Sequence, residues 1–389
     1  MGKAPATRYA TGTPSITADD RIAVEEALRS GWLGCGPQVA FFEAELSRVC
    51  KDGEAVAVSS GTAALTLTLA ALGVNPGDEV VTSALTFAAT ANAITALGAR
   101  PVLVDTLADG SSLDPEQVKD AAGPRLAAVV PVAWRGEPCD TATLRDLCAQ
   151  ISAITDRHVA LIEDGAYALG SDHDDALALS PATPVIISFH PTKIITAGLG
   201  GAVLGLATQA AETVRRMRNQ GLDAPAFARL NGASYQASTR GFALEMSDIH
   251  AALGRSQLSR LEEVILRRRA VFEALRQHLT GLSIWCPGSS RVRFGTTNAS
   301  LFAVLLEKAQ SRDSIRRKLA ADGVLTSVQY PFLADMPAWR NVRRISSLPH
   351  SRRLAGATLS LPSSPDLSYE DCRSIAQILR SALSAEDLM

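Results

Sequence analysis

Short apolar runs alternate with helical segments between residues 55 and 206. Predicted strands occupy 55–58, 79–82, 101–104, 127–132, 159–162 and 185–188. Helical stretches at 62–72 and 87–97 each end at a glycine, which is a common helix stop signal. Strands that are apolar throughout and are separated by helices are typical of a parallel sheet covered on both faces. The pattern therefore predicts a large α/β domain with a mostly parallel central sheet and flanking helices.

The two ends of the chain have a different pattern. Thr17 and Asp20 have the spacing of a capping box and predict a helix to about residue 30, followed by a second helix ending near residue 50. Residues 247–279 predict one long helix with an exposed charged face that includes 267–269. The rest of the chain predicts a small α+β unit, with strands at 300–306 and 324–329 and helices at 312–321 and 369–383.

These elements suggest three parts. We expect a large domain over 1–246, a connecting long helix over 247–285 and a small carboxy-terminal α+β domain over 286–389.

Composition narrows the function classes. A net charge of −2, from 38 basic and 40 acidic residues, predicts neither a nucleic-acid surface nor a polybasic membrane patch. The six cysteines form no CxxC pair and the six histidines are dispersed, so we expect no metal site. The chain has no run of about 18 apolar residues and no signal-peptide pattern, so a cytoplasmic location is expected.

Candidate chemistry lies at the carboxyl ends of the predicted strands, where open parallel sheets bind ligands. Gly61 and Thr62 follow the first strand and open a helix, so their backbone N–H groups could hold a phosphate. The competing interpretation is an ordinary strand-to-helix turn with a Ser or Thr cap. Phe87, after the second strand, could stack on a flat heteroaromatic ring or could be a core residue.

Two charged groups end later strands. Asp164 could pair with a protonated pyridine nitrogen, although a metal-binding carboxylate pair or a helix cap are alternatives. Lys193 is one of six lysines, and it alone lies between a buried strand and a glycine-rich turn at 197–201. Such a position suggests a desolvated amine with a lowered pKa, suited to Schiff-base chemistry. The glycine-rich turn lacks the G-x-G-x-x-G spacing of a dinucleotide site.

The order of these signals and their local sequences resemble the DegT-type sugar aminotransferases, which have the fold of type I pyridoxal-phosphate (PLP) enzymes. The resemblance extends from about residue 9 to 383. It rests on SSGTAALTLTLAALGVNPGDEVV, LIEDGAYALGS, SFHPTK, AGLGGAV and MSDIHAALGRSQL, among other segments.

The resemblance implies a role for each candidate residue. It implies that Lys193 is the Schiff-base lysine, that Asp164 is the partner of the pyridine nitrogen and that Phe87 stacks on the ring. It assigns the phosphate to three small residues: Gly61, Thr62 and Ser188.

Some positions depart from the family pattern. Tyr167 stands where Gln or His is usual, near the ring hydroxyl of PLP. Ala243 replaces an Asn that reaches the neighbouring subunit's PLP phosphate, and Glu245 replaces an Arg. Leu199 replaces an acidic residue of the glycine-rich turn. These changes leave the cofactor chemistry intact and put a standard nucleotide-sugar substrate in doubt.

The resemblance implies transfer of an amino group from glutamate or glutamine to a keto sugar, nucleotide-linked, in a homodimer with active sites at the interface. Three alternatives stay open: a cyclitol or other non-nucleotide ketone as acceptor, a PLP-dependent dehydratase or lyase, and a regulatory relative without activity. A dehydratase is disfavoured because that branch has His in place of the lysine. Five arginines could grip a diphosphate, although a solvated surface is the favoured interpretation: Arg340, Arg343, Arg344, Arg352 and Arg353.

Overall fold

The fold is built on a central sheet whose strands alternate with helices along the chain. The computed structural model describes residues 7–49, 53–171, 183–225, 229, 232–282, 284–285 and 297–387. The strands are β1 Tyr9–Ala10, β2 Glu54–Val58, β3 Glu79–Ser83, β4 Arg100–Val104, β5 Leu126–Val130, β6 Ala160–Leu161, β7 Glu163–Asp164, β8 Val185–Ser188, β9 Gly201–Leu206, β10 Ile284–Trp285, β11 Phe302–Leu306, β12 Val324–Leu325, β13 Arg343–Arg344 and β14 Thr358–Leu361.

The helices are α1 Ala18–Ser30, α2 Pro37–Val49, α3 Gly61–Ala71, α4 Ala88–Ala96, α5 Pro115–Asp120, α6 Thr141–Thr155, α7 Thr208–Arg218, α8 Asp248–Leu258, α9 Leu261–His278, α10 Arg312–Ala321, α11 Pro349–Ala357 and α12 Tyr369–Asp387. Short 3₁₀ turns lie at Ala309–Ser311, Leu333–Asp335 and Pro337–Trp339. No helix within the described residues is long and apolar enough to cross a membrane.

The central sheet has two hydrogen-bonded sections, ordered β13-β4-β3-β5-β6 and β2-β9-β8-β7. A parallel bridge between Val132 and Asp164 joins them. Every pair is parallel except the two made by β9, which runs antiparallel to β2 and β8. The predicted fold class is confirmed, with each of the six predicted strands present within a few residues of its expected bounds.

Both faces of this sheet are buried, which explains the apolar strands. One face packs against α3, α4 and α7. The other face packs against α5 and α6 over β3–β6, and against α2, α8 and α9 over β2, β8 and β9. On β3 the alternation is direct: Val80 belongs to the first core and Val81 to the second. Because neighbouring residues of a strand point to opposite faces, each strand must be apolar at every position to fill both cores.

Two capping interactions fix the amino-terminal helices. The predicted capping box is present: Asp20 N–H donates to Thr17, and Thr17 N–H donates to Asp20. The buried Asp248 carboxylate, at the start of α8, accepts the N–H groups of Gly36, Gln38 and Val39 at 2.9–3.0 Å. It thereby ties the start of α2 to a segment more than 200 residues away.

The prediction of a single helix over 247–279 is wrong. The segment forms α8 and α9 with a break at Ser259 and Arg260. The Arg260 guanidinium donates to the Asp20 carboxylate at 2.6 Å and to the Ser15 carbonyl at 3.0 Å, while its backbone leaves the helical region. No Gly or Pro marks this break, because a distant contact decides it.

The carboxy-terminal region contains an antiparallel sheet, β10-β11-β14, covered by α9, α10 and α12. The strand predicted at 324–329 is shorter than expected, since β12 ends at Leu325 and pairs with β1. Beyond it, Ser327 bridges Ser360, and residues 328–331 turn toward the central sheet. The division into three parts given above stays a prediction.

Substitution of Gly201 tests how closely β9 packs against the turn that precedes α3. A Cβ at Gly201 would lie 2.3 Å from the Ser60 carbonyl carbon and 2.4 Å from the Gly61 nitrogen, which are backbone atoms that cannot rotate away. We expect Gly201→Ala to lower the free energy of unfolding by about 1–3 kcal/mol, measured by urea denaturation. Gly123→Ala, where an added Cβ meets nothing within 4 Å, is the control. Equal stabilities of the two variants would contradict this account.

Candidate active site

A cavity of about 370 Å³ opens at the carboxyl edge of the central sheet. Its walls come from the segments that follow β2, β3, β5, β7 and β8, and from the turn before β9. Residues 328–331 of the carboxy-terminal region close one side. All seven predicted site residues line this cavity: Gly61, Thr62, Phe87, Asp164, Tyr167, Ser188 and Lys193.

Lys193 enters the cavity from a turn that follows β8. Its backbone N–H donates to the His190 carbonyl at 2.9 Å, and its Nζ lies 3.2 Å from the centroid of the Tyr167 ring. Burial lowers the pKa of the Lys193 amine to about 7, and the charge of Asp164 opposes that shift. A large fraction of this amine is therefore neutral, and nucleophilic, near pH 7.

Asp164, at the end of β7, is held in place by donors. Its Oδ2 accepts the Thr90 hydroxyl at 2.6 Å, and its Oδ1 accepts the Ala166 N–H at 3.3 Å. The Thr90 hydroxyl is itself 2.7 Å from that of Thr86. Burial raises the pKa of the Asp164 carboxyl, while Thr90 and Lys193 act in the opposite direction. A cationic ring nitrogen placed beside this carboxylate would offset its desolvation.

The start of α3 forms an anion site. The Ser60 side chain accepts the Ala63 N–H and caps the helix, so the N–H groups of Gly61 and Thr62 belong to the open first turn. Ser188 lies alongside, close enough that a Cβ on Gly61 would be 3.2 Å from the Ser188 Cβ. A helix start flanked by a hydroxyl and by small residues suits a phosphate group.

Aromatic rings border the cavity. The Phe87 side chain is 62% exposed, which argues against the core alternative, and its ring centroid lies 5.9 Å from that of Tyr330. Tyr167 is buried, and Thr192 and Tyr330 lie beside it on the cavity wall. Burial raises the pKa of both tyrosines, so both hydroxyls stay protonated at neutral pH.

Sequence reasoning missed Tyr330 and Thr90. Tyr330 comes from a region about 140 residues away from Lys193 and carries no local motif besides the following Pro331. Thr90 lies one helical turn beyond Thr86, so its spacing was visible, but its partner Asp164 was not. Both residues contact the predicted site only through the tertiary fold.

The departures from the family pattern lie in different places. Leu199 lines the cavity and is 57% exposed. Ala243 pairs with Asn219 and Glu245 with Val58 through the backbone, and Glu245 lines a separate cleft. The five arginines proposed above as a diphosphate grip are all exposed. Arg343 pairs with Glu79, and Arg352 pairs with Asp335. Their placement matches the solvated-surface interpretation.

The cavity fits a phosphorylated pyridine aldehyde. Phosphate-binding N–H groups, a carboxylate for a ring nitrogen and a buried amine for an aldehyde line the same space. The volume lies within the usual range of small-molecule sites. PLP carries these three groups, so the residues present suit that cofactor.

Comparison with known proteins supports the same conclusion. The sequence model of the DegT/DnrJ/EryC1/StrS aminotransferase family matches residues 14–380. DesI, solved in the presence of its TDP-sugar product, is 32% identical with a TM-score of 0.87, over 99% of this chain and 95% of that one. Aminotransferase TlmJ from Streptoalloteichus hindustanus is 31% identical with a TM-score of 0.87, over 97% and 100% of the chains.

A third structure shows the cofactor in a similar fold. The PLP form of the putative sugar aminotransferase Spr1654 from Streptococcus pneumoniae is 26% identical with a TM-score of 0.88, over 98% and 99% of the chains. These matches confirm the predicted PLP-dependent aminotransferase. This chain belongs to the DegT/DnrJ/EryC1/StrS aminotransferase family.

Proposed function

We propose that this enzyme transfers the amino group of an amino acid, glutamate or glutamine, to the ketone of a sugar. The observation that carries the proposal is the presence of the Lys193 amine and the Asp164 carboxylate in one buried cavity beside a phosphate-binding turn. The sugar acceptor is supported by the likeness to DesI, which was solved with a TDP-sugar product. A nucleotide-linked keto sugar is the acceptor we favour.

The chemical roles in this reaction are divided between the cofactor and the residues of the protein. When bound, PLP supplies an electrophilic carbon and a cationic ring that stabilises a carbanion. The Asp164 carboxylate would hold the proton on the ring nitrogen, because an unpaired carboxylate in this buried position is costly. Thr90 and Ala166 fix the direction of that carboxylate. The open first turn of α3, with Ser188, would bind the phosphate.

Lys193 moves the proton. The pKa of the amine is about 7, so its neutral form is present at neutral pH and can accept the proton from the Cα of the amino donor. The amine would then deliver that proton to the C4′ carbon of the cofactor. The Tyr167 ring packs against Nζ, and the Tyr167 hydroxyl is the group of this chain that we propose would bond the ring hydroxyl of PLP.

We also propose that two copies of this chain form a homodimer around the cavity. Phe87, Leu199 and Phe242 are large apolar side chains that are 62%, 57% and 41% exposed, and the first two line the cavity. Exposed apolar groups at the mouth of a site are expected where a second subunit completes it.

Conversion of glutamate tests the reaction class. Glutamate added to the PLP-loaded enzyme should remove the visible absorbance of the cofactor and release one 2-oxoglutarate per site. Lys193→Ala should show neither change, because the amine that moves the proton is gone. Lys119→Ala, an exposed lysine of α5, is the control and should behave as wild type. If wild type released neither 2-oxoglutarate from glutamate nor 2-oxoglutaramate from glutamine, the proposal would be contradicted.

Asp164→Asn tests the role of the carboxylate at the ring nitrogen. An amide of the same shape cannot hold a cation, so we expect kcat to fall roughly 100-fold or more while PLP still binds. Glu163→Gln is the control, since Glu163 points to the other face of the strand and accepts the Cys139 N–H. Steady-state kinetics of both variants would decide, and a similar small loss in each would count against the role.

The lowered pKa of Lys193 predicts a pH profile for cofactor capture. Only the neutral amine attacks an aldehyde, so the rate at which cofactor-free protein captures added PLP should rise with pH and level off above about pH 7. Stopped-flow absorbance between pH 5.5 and 9.5 measures this rate. A rate that keeps rising tenfold per pH unit to pH 9.5 would mean that Lys193 has the pKa of a lysine in water.

A further inference from the structure

A second, smaller cleft adjoins the active-site cavity. It has a volume of about 90 Å³ and shares three lining residues with the main cavity: Tyr167, Thr192 and Gln329. Thr192 immediately precedes Lys193, so one turn of the chain lines the cleft and carries the reactive amine. A space of this size is too small for a sugar and large enough for a carboxylate group.

The cleft is polar and contains one cation. Hydroxyl groups from distant parts of the chain line it: Thr11, Thr13, Ser327, Ser363 and Ser364. Arg268, from α9, is the charged residue among its lining residues. The sequence pattern placed Arg268 on an exposed face of a helix, and that expectation is wrong, because Arg268 is only 6% exposed.

Arg268 has donor capacity to spare. Its Nη1 donates to the carbonyls of Ser300 and Ser363, at 3.4 and 3.1 Å. Its Nε is buried and has no hydrogen-bond partner among the described residues. A guanidinium has five N–H donors, so the two carbonyls anchor one edge and leave donors for a ligand.

The charge of Arg268 also lacks a close partner. Within the described ranges, no carboxylate lies within 4.0 Å of its guanidinium, and the acid whose charge acts on it is the exposed Asp366. Burial lowers the pKa of Arg268 to about 10, which still leaves it charged at neutral pH. A buried cation without a counter-ion is costly, and an anionic ligand would remove that cost.

We infer that Arg268 and the surrounding hydroxyl groups form the subsite for the α-carboxylate of the amino donor. This inference rests on the proposed function, in which an amino acid enters beside Lys193. The α-carboxylate is attached to the carbon that loses its proton, so it must lie within a few ångströms of that amine. A guanidinium binds a carboxylate through two parallel hydrogen bonds, which would also fix the orientation of the Cα–H bond.

Binding of glutarate tests the subsite without any reaction. Glutarate has the carboxylates of glutamate and no amino or keto group, so it cannot react with the cofactor. By isothermal titration against the PLP-loaded enzyme, we expect Arg268→Gln to weaken glutarate binding roughly 30-fold or more, because a buried charge pair is lost. Arg269→Gln is the matched control: Arg269 is the next residue on α9, its Nε donates to the Thr297 carbonyl, and the variant should bind as wild type.

The two half-reactions separate a carboxylate site from a structural role. Arg268→Gln should raise the glutamate concentration needed for half-maximal loss of the cofactor absorbance, again roughly 30-fold. The rate at which the pyridoxamine form aminates a keto sugar should stay within about twofold, since the sugar ring has no α-carboxylate. Equal losses in both half-reactions would assign Arg268 a structural role and overturn the inference.

Arg268→Lys covers the case in which the glutamine variant does not fold. It keeps the charge and loses the forked geometry, so we expect weaker glutarate binding, roughly fivefold or more, with an unchanged melting temperature. Glutarate binding equal to wild type in a folded Arg268 variant would overturn the subsite. If wild type converts neither glutamate nor glutamine, the result contradicts the proposed function, on which the subsite rests.

If wild type converts glutamate and the Arg268 variants convert it equally well, the result contradicts the subsite and leaves the proposed function standing.

Discussion

The site depends on two opposite charges in one buried cavity. Lys193 and Asp164 are each driven toward their neutral forms by burial, and each partly restores the charge of the other. Neither would be stable there alone, because an unpaired charge in a low-dielectric interior is costly. A cofactor that carries a ring cation for the aspartate and an aldehyde for the lysine satisfies both groups at once. The buried pair is therefore suited to PLP chemistry.

The sheet brings this pair together. Asp164 ends β7 and Lys193 follows β8, and these strands are parallel neighbours, so their carboxyl ends meet at one edge. The phosphate-binding turn reaches the same edge from β2 because β9 runs antiparallel between β2 and β8. That arrangement brings backbone against backbone at Gly201 and Ser60, where only glycine fits. The same contact therefore packs β9 closely against the turn and fixes the position of the phosphate-binding N–H groups.

The lining of the site has two kinds of chemistry, which suits an enzyme that binds two substrates in turn. In the small adjoining cleft, hydroxyl groups and a buried guanidinium form a polar wall. On the wall of the main cavity, Leu199 and Phe87 are exposed apolar side chains. The polar cleft suits a small anion, and the apolar side chains suit an acceptor with apolar surface or a neighbouring subunit.

The sequence by itself determined the mostly parallel α/β fold and seven of the residues that line the cavity. Both are encoded locally. Strands that are apolar throughout predict a sheet with two buried faces. Gly61, Asp164 and Lys193 each lie at or just after the end of the strand that positions them. Only the tertiary structure decided the break between α8 and α9, the position of Tyr330 in the cavity and the burial of Arg268. Each of these depends on groups far away in the chain, such as Asp20 for the helix break and the Ser300 and Ser363 carbonyls for Arg268. Helical periodicity places Arg268 on a charged face, and nothing local to it shows that a second layer of chain covers that face.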